Sequence, residues 1–77
     1  MTHFVSLFAS WLTEESWLLR LLERDPYDED AWTALIAAHI RLRRHGEARH
    51  QHAAYARRMA ELDLTVAPFA AISDRVP

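Results

Sequence analysis

A single glycine, Gly46, in a chain of 77 residues is the strongest constraint on its fold. Sheets reverse at every strand end, and those reversals draw on glycine, proline and similar turn residues. One glycine and three prolines are too few for an all-β fold, while thirteen alanines and abundant Leu, Arg and Glu favour helices. The chain has no cysteine, so a disulfide framework, a thiolate metal site and a thiol nucleophile are all excluded. A chain this small is held by packing alone, and a core of this size rarely supplies more than about 3–5 kcal/mol. A partner surface is therefore expected.

Apolar spacing divides the chain into helices. Phe4, Val5, Leu7, Phe8, Trp11 and Leu12 make one stripe at helical offsets, suited to covering a core. Thr13, followed by Glu14 and Glu15, has the chemistry of a helix start. Trp17, Leu18, Leu21 and Leu22 form the next stripe, which Asp25-Pro26 ends because the residue before proline avoids the helical region. Asp28 caps a further helix with Glu29 and Asp30 in its first turn and Trp32, Leu35, Ile36, His39 and Ile40 as its apolar stripe. Arg41, Arg43 and Arg44 load its far end with positive charge, and Gly46 is expected at the tight corner that follows. A helix from about Glu47 to about Leu62 then presents Ala48, His52, Tyr55, Met59 and Leu62 on one side and packs antiparallel to its predecessor. Val66-Ala67-Pro68 reads as an extended link into a short C-terminal helix over 69–76 carrying Phe69, Ile72 and Val76. The expectation is one all-α domain spanning 1–77, a small bundle of antiparallel helix pairs with a repeat-like core over 17–62.

The formal charge of −2 hides two opposed blocks. Glu14 to Asp30 is strongly acidic, and Arg41 to Arg58 is strongly basic, with six arginines against Glu47 alone. Such asymmetry steers association with a charged partner or a second copy; the plainer reading is solvated faces that pair with their neighbours. Met1 to Leu12 lacks the basic start and small-residue cleavage site of a signal peptide, and it is far shorter than the roughly 20 apolar residues of a membrane span. Cytoplasm is the default, with no membrane partner. Every strong base is an arginine, a usage that resembles the codon bias of GC-rich bacterial genomes.

Asp25-Pro26, Trp32 six residues after the proline, Leu35 and the small Ala48 of the next helix look like the tetratricopeptide pattern. In that repeat, large residues of one helix pack around a small residue of its partner. More narrowly, LLERDPYDEDAWTALIAAHIRLRRHGEARHQHAAYARRMAELDLTVAP resembles the C-terminal part of the bacterial transcriptional activator domain. That domain is a tetratricopeptide-like helical module of antibiotic-pathway regulators. The matching features are Leu21-Leu22, Asp25 to Glu29, Ala31-Trp32, Gly46-Glu47-Ala48 and Leu62 to Pro68. The chain departs from the family at the closing glycine, replaced in the Asp63-Leu64 region, at His52 and Tyr55, and at Glu14. The family also carries a separate winged helix-turn-helix domain for DNA. Its absence from these residues implies a fragment, a divergent single-module relative or an excised domain. Trp32, Leu35, Gly46 and Ala48 take structural roles in this pattern, and Tyr55 takes one from its place on the stripe of its helix.

Catalysis and metal binding find little support in the pattern. Ser, His and Asp are present, but no nucleophile elbow, phosphate loop or apolar carboxylate pair accompanies them. On a helix His50 and His52 lie about 200° apart, and arginines flank His45 and His52, so no metal and no cofactor is expected. His39 and His52 fall on apolar stripes and are expected to face each other or a carbonyl. Asp28, Glu29 and Asp30 are accounted for as cap and dipole partners.

Two surfaces stay open for function. Arg41, Arg43, Arg44, Arg49, Arg57 and Arg58 make the case for nucleic acid, since clustered cations release counterions; the net acidity and the neighbouring acidic block weigh against direct contact. Trp32 is explained by the repeat and Trp17 by its stripe, leaving Trp11, with Phe4 and Phe8, as the candidate protein-binding surface or a cap on the bundle end. The reading is a non-catalytic protein-interaction or oligomerisation module of a bacterial transcriptional regulator, binding a protein partner or a second copy. The alternatives are an arginine-surface nucleic-acid module and a small helical adaptor unrelated to transcription.

Overall fold

A computed structural model describes residues 14–77 of the chain. The stripe of Phe4, Phe8 and Trp11 and the Thr13 start lie outside the described residues. Residues 14–24 are helical (α1), followed by α2 (Glu29–Arg41), α3 (His45–Ala60) and the short α4 (Phe69–Ser73). Among the described residues there is no strand.

The break after α1 is built by Asp25 and Pro26. The Asp25 amide donates back to the Leu21 carbonyl at 2.8 Å, and the Asp25 carboxylate accepts from the Tyr27 amide at 3.1 Å. Asp28 then caps α2, its carboxylate accepting from the Ala31 amide at 3.1 Å. Glu29 and Asp30 occupy the first turn of α2 and His39 and Arg41 the last, the arrangement the helix dipole favours.

Both long helices close in the same way. At the end of α2 the Arg44 amide bonds to the His39 carbonyl and the Arg43 amide to Ile40, both at 2.9 Å, with Arg43 at φ 62. After α3 the Leu64 amide bonds to Met59 and the Asp63 amide to Ala60, both at 3.0 Å, with Asp63 at φ 59. These are Schellman closures in which a left-handed residue usually filled by glycine is an arginine or an aspartate. The expectation that Gly46 makes the corner is therefore corrected. Gly46 is the second residue of α3, without a positive φ, and a Cβ there would meet nothing within 4 Å. The reversal belongs to Leu42, Arg43 and Arg44, because a Schellman closure places its left-handed residue two after the last helical one, at position 43.

α2 and α3 are antiparallel, as their contacts show: Tyr27 reaches Glu61, Glu29 reaches Tyr55, and Trp32 stacks on Tyr55 with ring centroids 6.1 Å apart. The main core gathers Trp32, Ile36 and Ile40 of α2, Ala48, Tyr55 and Met59 of α3 and Ile72 of α4. Ala48 and Met59 are fully buried, and Ala48 leaves room for the large α2 side chains around it. α4 packs on α2 and ends at Ser73, short of the expected 76, although Val76 still packs against the core. α3 ends at Ala60, so Leu62 is exposed rather than on the α3 stripe. A second cluster, Leu18 with Ala31 and Leu35, fastens α1 to α2. Each such fully buried side chain contributes about 1.5–3 kcal/mol over an exposed one.

Candidate interaction surface

The outer face of α1 is the largest departure from the expected pattern. Trp17 and Leu18, neighbours in sequence, are about 100° apart on a helix and cannot share one narrow contact. Leu18 turns inward against Ala31 and Leu35, and Glu15 and Leu22 lie on the same side, toward α2. Trp17 consequently turns outward and is 59% exposed, and Leu19 on another flank is 43% exposed. The expectation that Trp17 is absorbed by its own core stripe is thus overturned. An offset of four links Trp17 to Leu21 as well as Leu18 to Leu22, so spacing alone does not separate the two strips, and Leu21 is half-buried against the Leu18 cluster.

Two shallow hollows flank this helix. One, of about 330 Å³, is lined by Trp17, Arg20, Leu21, Glu23 and Arg24. The other, of about 420 Å³, runs from Leu19, Leu22 and Glu23 past Pro26 and Trp32 to Gln51 and Arg58 on α3. Both pair apolar floors with charged rims, a combination common in protein contact surfaces. Arg20, Glu23 and Arg24 enter none of the ion pairs formed among the described residues.

Several polar groups elsewhere are tied into the fold, while His39 Nδ1 is buried with no hydrogen-bond partner among the described residues. Trp32 donates its indole N–H to the Pro26 carbonyl at 2.7 Å, and the Tyr55 hydroxyl donates to Glu29 Oε1 at 2.6 Å. Burial, and then that hydrogen bond, push the Tyr55 phenol up to about 12. Tyr27 donates to Glu61 at 2.8 Å, which raises its phenol above the ordinary value. His39 is buried with Nε2 3.8 Å from Glu15, whose other oxygen lies 3.8 Å from Arg44. His52 sits 2.8 Å from the Ala67 carbonyl, which makes Nε2 the protonated nitrogen, and meets the Phe69 ring edge-on. The two histidines therefore take different partners: His52 has a carbonyl, and His39 has the carboxylate of α1 in place of either expected neighbour. Among the described residues no group of three or more His, Asp or Glu could hold a metal ion.

Arg41, Arg43, Arg44, Arg49, Arg57 and Arg58 are all exposed, and several of them have neighbours of their own. Arg49 lies over the Phe69 ring at 4.8 Å, Arg58 pairs with Glu61 at 3.3 Å, Arg44 approaches Glu15, and Arg41 lines a separate hollow with Asp30 and Arg75. Trp32, Leu35, Ala48 and Tyr55 are buried at the α1–α2–α3 contacts. No helix among the described residues is long and apolar enough to cross a membrane. In comparison with known proteins, no family model, no curated sequence and no solved structure matches this chain.

Proposed function

We propose that this chain is a non-catalytic protein-interaction module of a cytoplasmic bacterial transcriptional regulator, a tetratricopeptide-like helix pair that presents α1 to its partner. The observation that carries the reading is Trp17, 59% exposed beside charges that enter no ion pair among the described residues, on a helix with another side already buried. A tryptophan buries about 150–250 Å² when covered and is a preferred interface anchor. The Asp25-Pro26 turn, and Ala48 packed beneath Trp32, Ile36 and Ile40, support the tetratricopeptide-like reading and, through the resemblance, the regulatory context. His39 and His52 are engaged within the fold, which favours binding over chemistry.

A photo-crosslinking residue at position 20, which lines the same hollow as Trp17, tests this in cells. Defined protein adducts are expected from position 20, lost when Trp17→Ala is added, and absent from a control at Arg57. Adducts indifferent to Trp17, or none from position 20 in a folded chain, reject the reading. The exposure of all six arginines keeps nucleic acid as the second reading. Fluorescence anisotropy with generic duplex at low salt separates them: binding lost on charge reversal at Arg57 and Arg58 would favour it. A gene neighbourhood of biosynthetic assembly proteins without a regulator would instead favour the adaptor.

A further inference from the structure

The outer face of α1 carries its charges in an order that complements itself. Along the described residues of the helix Glu14 comes first, Trp17 and Leu21 follow in the middle, and Arg24 is last. On a helical projection these residues fall on one strip within a third of a turn, with Arg20 at its edge. The neighbouring side is spent on α2 through Leu18 and Leu22, and Leu21, at the inner edge of the strip, is half-buried against the same cluster while it also lines the hollow beside Trp17.

Resting on the interaction-module reading, we propose that the partner of this face is a second copy of the chain, docked with the two α1 helices antiparallel about a two-fold axis. Such an axis over position 19 sets Glu14 against Arg24 of the other copy and Trp17 against its Leu21, twice over. A two-fold interface must be one patch that satisfies itself, and this strip does so in charge and in shape. The charged ends are about 15 Å apart along one helix, so Glu14 and Arg24 cannot neutralise each other within a chain. Neither is in an ion pair among the described residues. The contact is short, at or below the roughly 1,200 Å² of stable standard-size interfaces, so dissociation in the micromolar range and sensitivity to salt are expected.

Charge exchange on the full chain tests the pairing by sedimentation velocity over a wide concentration range. Glu14→Arg and Arg24→Glu should each raise the dissociation constant at least tenfold, through like charges placed opposite one another. Mixing the two variants should restore a dimer, because each face then meets its complement, and the doubly exchanged chain should again pair with itself. Independently, a short bismaleimide should join a mixture of Glu14→Cys and Arg24→Cys chains more readily than either alone; the native chain has no cysteine to interfere. Single variants that dimerise like the native chain, a mixture no better than its components, or a native chain that stays monomeric would each overturn the proposal. If that happens while the position-20 adducts still require Trp17, only self-pairing fails; if those adducts vanish as well, the module reading fails with it.

Discussion

At the scale of single residues, the backbone asks for glycine at two places and has it at a third. Arg43 and Asp63 hold left-handed φ angles of 62 and 59, a conformation that costs a side-chain-bearing residue roughly 1–2 kcal/mol. Gly46 occupies helix, where a Cβ would meet nothing within 4 Å and alanine constrains the unfolded chain more. Gly46→Ala and Arg43→Gly are each expected to stabilise by roughly 0.5–1 kcal/mol, read as a higher urea midpoint. A Gly46→Ala chain that unfolds more easily would show that position 46 is under a demand absent from its surroundings. Tyr55 gives a pH signature. Its phenol is protonated in both states at neutral pH, and the unfolded chain ionises first as the pH passes about 10. Stability should then fall until the folded phenol ionises near about 12. Tyr55→Phe loses the bond to Glu29, costing about 1–2 kcal/mol at neutral pH, and should flatten the alkaline decline measured by denaturation across that window.

At the scale of elements, what was readable in the sequence was what local chemistry decides. Asp25-Pro26, the Asp28 cap and the stripe of Trp32, Leu35, Ile36 and Ile40 place α2 with little help from the rest of the chain. The Asp28 cap should be worth about 1 kcal/mol, so Asp28→Ala lowers the thermal midpoint by several degrees while Asp28→Asn retains most of it. What escaped was decided by neighbours. Whether Trp17 or Leu18 is buried depends on which side of α1 meets α2, and a stripe four residues wide fits either choice. His39 finds Glu15, 24 positions earlier, only because α1 folds back along α2. The corner lies at Arg43 rather than Gly46 because α2 ends at Arg41 and a Schellman closure puts its left-handed residue just beyond that end. Ala48 marks the spot where the two scales agree: it is fully buried between α2 and α3, and Ala48→Leu should cost about 1–3 kcal/mol by forcing the helices apart.

At the scale of the molecule, a chain of 77 residues with a core worth about 3–5 kcal/mol has little reserve. Met59 is fully buried at the centre of that core, and shortening it to alanine costs roughly 2–5 kcal/mol, enough to leave Met59→Ala largely unfolded. Anything that binds only the folded form adds to that reserve by mass action, and a second copy does so in proportion to its own concentration. The opposed charge blocks already meet inside the chain, where Glu15 lies 3.8 Å from Arg44. The outer strip of α1 lets such a meeting be repeated between chains. The thermal midpoint of the native chain should therefore climb as protein concentration is raised through the dissociation constant. That of Arg24→Glu should stay level, and added salt should bring the native chain down toward it. Differential scanning calorimetry at several concentrations measures this directly. A native midpoint independent of concentration, in a chain that sedimentation shows to be dimeric, would mean that pairing does not support the fold and that the core alone carries it.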